Sequence, residues 1–351
     1  MTAELDAWFA ERTARHEFSG VALVVREGET LFSFAGGLAQ RGHGVPNTMS
    51  TRFGVASIGK MVTATAALRL VDRGLMRLDQ PVLDLLPDEH RIVALTPAVT
   101  LGHLLSHSSG LPDYFDDDDP TWDSWLASWN RIPTYRVRRP ADMLPLLRDR
   151  PAVAQPGERQ HYNNAAFILV GLAIEAVTGL PYADAVTAEV LRPTAMIDSS
   201  FEALDDDPRD LATGYVTSDE PADRWRTNIF AVTAAPMPDG GMISTASDLI
   251  RLVGALVEGD LLAEDTAVAM RTPQGPPTTE TQQYGYGLIL GVENGRVRTV
   301  GHGGGDPGVS TLVTHDLPAR TTVVTLCNQD RGSFAASKRL AEAFGLGEPR
   351  G

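Results

Sequence analysis

Ser57 and Lys60 stand three residues apart in RFGVASIGKMVTATAALRL (52–70), a stretch that is otherwise almost wholly apolar. The chain has two lysines, Lys60 and Lys338, among its 30 basic residues, so arginine is its usual cation. A lysine at this point needs a reason. Three positions along a helix is about one turn, which brings the amine to the hydroxyl. Apolar surroundings and the positive end of a helix dipole both disfavour an ammonium. A neutral amine takes a serine proton at pH 7; arginine does not, because its guanidinium stays protonated. Ser57, at the first turn, also offers its own unpaired backbone N–H to a developing oxyanion. Ser-x-x-Lys alone is common by chance. The scarcity of lysine and the apolar context give it weight here.

Two further segments carry chemistry. GERQHYNNAAF places Tyr162 in a loop ahead of a helix, with Asn164 near the helix cap. VGHGGGDPGVS places His302 before Gly303, Gly304 and Gly305 at the end of a predicted strand. Glycines there let backbone approach a ligand closely, so the Gly305 N–H is a second oxyanion donor beside that of Ser57.

The elements that must hold these residues follow from periodicity. SGVALVVREGETLFSFAGG alternates around a Glu-Gly turn and reads as a hairpin. YGYGLILGVENGRVRTVGH carries the Asn294-Gly295 turn of another, and STLVTHDLPARTTVVTLCN supplies a further strand pair. Residues 332–345 are predicted helical. In the middle, helices are predicted in SIGKMVTATAALRLVDRG up to Gly74 and in NNAAFILVGLAIEAVTG up to Gly179. A third, in STASDLIRLVGALVEG, has a Thr245/Asp248 capping box and stops at Gly259. Strands at both ends around a helical middle imply an α/β (α+β) fold. Its antiparallel sheet is built from both chain ends and flanked by terminal helices, with a large, mostly helical insertion. The sheet domain is expected over 1–52 and 283–351, the helical domain over 53–282, and the active site at their junction. The Pro-rich run at 271–283 is the expected boundary loop.

Composition bounds the rest. A chain of 351 residues with 43% hydrophobic content has ample core for a soluble globular protein. A formal charge of −15 argues against nucleic acid or an anionic membrane surface as partner. The stretch MTAELDAWFAERTARHEF lacks the basic and apolar regions of a signal peptide, and no apolar run approaches membrane-spanning length. The expectation is a cytoplasmic protein. Cys327, in TTVVTLCNQD, reads as a buried structural thiol.

Taken in order, the three motifs make the chain resemble the serine β-lactamase and penicillin-binding-protein superfamily, in particular its class C β-lactamase-like branch of esterases, D-aminopeptidases and DD-peptidases. The resemblance also rests on LGHLLSHSSGLPDY, GGMISTASDL and YGYGL, and covers nearly the whole chain. It implies a β-lactamase/transpeptidase-like fold and a serine hydrolase with no metal or organic cofactor. By the same resemblance Ser57 is the acylated nucleophile, and Lys60 with Tyr162 is the base and proton donor. Asn164 orients Lys60 and binds substrate, as do His302, Gly303 and Gly304, while the N–H groups of Ser57 and Gly305 form the oxyanion hole. The implied substrate is a small ester, amide or short peptide. One departure matters: many relatives have lysine where this chain has His302. A histidine of ordinary pKa, about 6.5, is mostly neutral at pH 7. That favours an esterase, amidase or D-amino-acid peptidase over a β-lactamase or DD-carboxypeptidase. A transacylase and a covalent penicillin-binding sensor that does not turn over stand as alternatives.

Other patterns weigh less. HGGG (302–305) also resembles the oxyanion motif of lipase-type hydrolases, but the chain has no Gly-x-Ser-x-Gly elbow. His103 and His107 are four apart like a zinc pair, yet no third ligand accompanies them, and they read as structural. The acidic run 116–119 lacks calcium-ligand spacing. Trp122, Trp125 and Trp129 fall at helical spacing, usually a core-facing stripe; with Tyr114, Phe115 and Tyr135 nearby, plain packing is the first reading and a wall or lid of the acyl pocket, contacted through Tyr114, Phe115 and Trp122, the alternative.

Overall fold

The computed structural model describes residues 1–115, 125, 127–217, 224–259, 261–276 and 279–350. Within them the alternating segments form a seven-stranded antiparallel sheet. Its strands are β1 (Gly20–Arg26), β2 (Glu29–Gly36), β3 (Gln282–Tyr284), β4 (Ile289–Glu293), β5 (Arg296–Asp306), β6 (Val309–Asp316) and β7 (Thr321–Cys327). They lie in the order β2-β1-β7-β6-β5-β4-β3. Both predicted hairpin turns have two successive residues at positive φ: Glu27 (49°) with Gly28 (85°), and Asn294 (52°) with Gly295 (73°). That is the backbone of the tight turn whose twist matches its strands. Strands from the two ends of the chain meet one strand in from an edge of the sheet, where β1 pairs with β7 from Gly20 opposite Cys327 to Arg26 opposite Thr321.

Alternation decides which face each residue covers. Ala22 and Val24 of β1, with Val323 and Cys327 of β7, pack under the terminal helices α1 (Thr2–Ala14) and α5 (Ser333–Phe344). Cys327 is fully buried there, and burial pushes its thiol pKa up. Val21, Leu23, Val324 and Leu326 face the other way, into a larger core. That core holds α2 (Gly59–Asp72), α3 (Asn164–Thr178) and α4 (Ala246–Glu258). α3 is apolar on all sides and buried from Asn164 to Ile174, as a central helix must be. It stops at Gly179 (φ 68°), and α4 stops at Gly259 (φ 85°). At the start of α4 the Thr245 hydroxyl accepts from the Asp248 N–H at 3.2 Å. No single helix among the described residues is long and apolar enough to cross a membrane.

Phe9 of α1 is fully buried and stacks on Phe32 and Phe34, with ring centroids 5.5 and 4.9 Å apart. Phe9→Ala should therefore lower the unfolding free energy by about 3–5 kcal/mol, the usual loss for a deleted core aromatic. The change is read from the shift of the denaturant midpoint at unchanged slope.

Candidate active site

The chain enters α2 through a backbone turn that L-residues resist. Ala56, immediately before Ser57, has φ 47°, in the left-handed region, a conformation that costs a non-glycine residue about 1–2 kcal/mol. Two glycines let other backbone close around this turn. A Cβ on Gly304 of β5 would lie 2.4 Å from the Val55 carbonyl oxygen, and one on Gly240 would lie 3.0 Å from that of Ala56. The Thr311 hydroxyl donates to the same Val55 oxygen at 2.9 Å. The strand carrying Gly305 is thus drawn against the turn carrying Ser57, and both residues line one cleft.

Lys60 is fully buried in the first turn of α2. Its Nζ lies 3.0 Å from Ser57 Oγ, 2.7 Å from Asn164 Oδ1 and 2.6 Å from the Asp239 carbonyl oxygen. An amide oxygen and a peptide carbonyl only accept, so each takes one N–H. Toward Ser57 either polarity is satisfied: an ammonium donates to Oγ, and a neutral amine accepts the hydroxyl proton along the same line. The faces of Tyr162 and Phe167 lie 4.8 and 5.7 Å away and favour the cationic form once it exists.

Tyr162 sits in the loop just before α3. Asn163 caps that helix by accepting from the Ala166 N–H at 2.6 Å. The Asp113 carboxylate accepts from the Asn164 and Ala165 N–H groups at 2.5 and 3.1 Å, a favourable place for negative charge. Together they fix the start of α3 and with it the Asn164 side chain. The His107 ring stacks on Tyr162 with centroids 4.5 Å apart.

His302 lies on the other side, its ring centroid 6.0 Å from that of Tyr162 and only 1% exposed. Its Nδ1 donates to the Gly303 carbonyl at 2.5 Å, which leaves Nε2 an acceptor, unpartnered among the described residues. Burial, reinforced by Lys60, lowers the His302 pKa to about 3, so the ring is neutral at pH 7. His107 is also neutral, held well below its ordinary pKa by burial and then by Lys60.

The cleft beside Ser57 has a volume of about 260 Å³. Tyr114, Phe115, Trp125 and Trp129 form one wall in successive ring contact, Phe115–Trp125 at 4.9 Å, Trp125–Trp129 and Tyr114–Trp129 both at 5.8 Å. The carboxylates of Glu202, Asp207, Asp239 and Asp306 also line it, and among the described residues no lysine or arginine does. Arg52 lies 2.7 Å from Glu202 and offsets its charge. Burial raises the pKa of Asp239, opposed by Lys60 and by the Tyr114 phenol, which donates to Oδ2 at 2.5 Å.

The structure thus gathers Ser57, Lys60, Tyr162 and Asn164, with Gly305, Tyr114 and Phe115 on the cleft surface. Gly304 packs against the turn that carries Ser57, and His302 is buried beside Tyr162; neither they nor Gly303 line the cleft among the described residues. Trp122 and the acidic run 116–119 lie outside the described residues. His103 serves as a helix cap, its Nδ1 accepting from the Thr100 N–H at 3.2 Å. No group of three or more metal-binding side chains occurs among the described residues. Sequence reasoning missed Asp113, His107 and Asp239. The Gly240-Gly241 pair after Asp239 was the one local sign of a close backbone approach.

Comparison with known proteins gives the family and the fold. The chain matches the model of the family described as Beta-lactamase over residues 5–346. It is 32% identical to Esterase EstB of Burkholderia gladioli over 82% of this chain and 78% of that protein. It is 27% identical to Penicillin-binding protein 4* of Bacillus subtilis (strain 168) over 98% of this chain and 76% of that protein. Among solved structures, a penicillin binding protein from Bacillus halodurans shares the fold with a TM-score of 0.86 and 34% identity, over 95% of this chain and 98% of that one.

Three buried neutral histidines carry a pH signature: His107 and His302 at the site, and His315 on β6, whose pKa burial lowers to about 4. Each binds a proton more readily unfolded, near pH 6.5, than folded, where His302 has a pKa of about 3. Their contribution to stability is therefore complete above about pH 6.5 and declines as the pH falls toward the folded values. The slope is up to about 1.4 kcal/mol per pH unit for each. Denaturant midpoints from pH 7.5 to 4.5 should show this decline, and His302→Gln should remove about one proton's worth of its slope.

Proposed function

This chain belongs to the beta-lactamase family, and on that premise we propose that it is a serine hydrolase working through an acyl-enzyme on small esters or amides. The observation that carries this reading is the position of Lys60 Nζ, 3.0 Å from Ser57 Oγ with two other bonds committed to Asn164 and Asp239. In the neutral amine those two acceptors hold both N–H bonds, so the lone pair faces the hydroxyl. Ser57 Oγ then attacks the carbonyl carbon as its proton passes to Lys60. The N–H groups of Ser57 and Gly305 receive the oxyanion. Lys60 and Tyr162 return the proton to the leaving group, and the same pair activates the water that releases the acyl group.

Two features favour substrates without a carboxylate beside the scissile bond. The buried His302 supplies no positive charge, and the cleft is lined by carboxylates with no facing lysine or arginine among the described residues. A penicillin or a peptide C-terminus meets repulsion there. The aromatic wall suits an apolar acyl group.

A p-nitrophenyl ester of a short acid should acylate Ser57, seen as a mass increase on the peptide that contains it. Ser57→Ala should lose at least about 10³-fold in kcat/KM; undiminished activity overturns the reading. Lys60→Arg keeps the charge without the base and should lose about 10²–10⁴-fold. Retained activity would make Lys60 a structural cation only.

The wild type should also show a higher kcat/KM for the neutral ester than for a chromogenic cephalosporin. The opposite preference would put a β-lactamase or DD-peptidase in place of the esterase or amidase. Product analysis with an added amine separates hydrolysis from acyl transfer, and an acyl adduct that releases no product marks a covalent sensor.

A further inference from the structure

We infer that His107 is the positioning residue that holds the Tyr162 phenol in register with Lys60, by bonds to both chain neighbours of Tyr162 and a stack on its ring. The inference rests on the reading of Tyr162 as a catalytic proton carrier. Three contacts converge on it. The His107 carbonyl accepts from the His161 N–H at 2.8 Å, its Nδ1 accepts from the Asn163 N–H at 3.0 Å, and its ring lies against Tyr162 at an interplanar angle of 27°. One residue thus grips the tyrosine and the residues on either side of it. An aromatic side chain on a loop is otherwise free to swing.

His107 is itself fixed. Phe167 and Tyr284 pack around its ring at 5.2 and 4.9 Å, and it is 1% exposed. Its φ is 56°, a left-handed backbone that persists in a non-glycine residue only where the surroundings over-determine it. Because an N–H points at Nδ1, the neutral ring carries its proton on Nε2, and that buried N–H finds no partner among the described residues. Plain packing would be better served by phenylalanine, which buries no unmatched donor. A residue that must be both a flat ring and a δ-position acceptor has to be histidine.

His107→Phe keeps a ring and removes the acceptor. His107→Asn keeps an acceptor at the δ position and suits a left-handed backbone. With a neutral p-nitrophenyl ester, His107→Phe should lose about 10²-fold in kcat with KM little changed, the penalty of misplacing a catalytic group by about 1 Å. His107→Asn should recover at least roughly tenfold of that loss. The double variant His107→Phe/Tyr162→Phe should match Tyr162→Phe alone within about twofold, because a phenol that is absent cannot be misplaced. Equal losses in His107→Phe and His107→Asn, or losses that multiply with Tyr162→Phe, overturn the inference. If His107→Phe does not fold, His107→Gln takes its place. Its acceptor sits one bond too far out, and a Gln variant as active as the Asn variant overturns the inference equally. An active Ser57→Ala would instead remove the reading beneath it, so the two failures are distinct.

Discussion

A lysine amine sealed from solvent is the constraint around which this site is assembled. Lys60 stands between Ser57, Asn164 and Asp239, on three segments far apart in the chain. A buried cation or amine is tolerated only if its hydrogen-bonding capacity is met. Each partner therefore needs its own support. Asn164 is aimed by the cap of α3, where Asp113 and Asn163 hold the first N–H groups. Asp239 is brought in by a loop that touches the turn carrying Ser57, with the Gly241 N–H bonded to the Ala56 carbonyl at 3.1 Å. Ser57 is presented by the strained Ala56. Movement in any one of these unbalances the other two.

What was legible in the sequence is what acts locally. The helix stops at Gly179 and Gly259 and the hairpin turns at Glu27-Gly28 and Asn294-Gly295 lie in residue types that tolerate or prefer positive φ. Ser57 and Lys60 are one helical turn apart, so their meeting needed no tertiary information. β1 and β7 lie in the stretches predicted as a hairpin and a strand pair. What escaped has a common physical cause. Asp239 reaches Lys60 through a peptide carbonyl, which every residue possesses, so side-chain identity said nothing about it. Asp113 works at long range on another helix's N–H groups. Ala56 carries no outward sign of a left-handed backbone. His107 was read as structural because its partners, the N–H of Asn163 and the ring of Tyr162, become neighbours only once α3 is docked.

The division of labour between the two cations follows the same logic. Arginine, which does not lose its proton, ties carboxylates together: Arg52 to Glu202, Arg69 and Arg73 to Glu189, and Arg138 in a two-pronged bond to Asp205. Such planar forks suit fixed scaffolding. Of the two amines, Lys338 lies on the C-terminal helix and Lys60 is sealed in the candidate site. With arginines at its ties and carboxylates on its cleft, the protein places negative potential along the cleft and neutral imidazoles beside Lys60 and Tyr162.

The pairing of β1 with β7 has a consequence for biogenesis. Ser19 Oγ donates to Asn328 Oδ1 at 2.8 Å across 309 positions of sequence. As the chain leaves the ribosome, the β1–β2 hairpin emerges about 300 residues ahead of β7 and exposes the inner edge of β1, with its run of valine and leucine, until that strand has been made. Contacts this distant slow folding, and an unpaired apolar edge invites association with other nascent chains. β5, which carries Gly305, also arrives late, so Ser57 and Gly305 come to line one cleft only after about 300 residues have been made. The left-handed turn at Ala56 therefore waits for most of the chain before the strand that packs against it has been made.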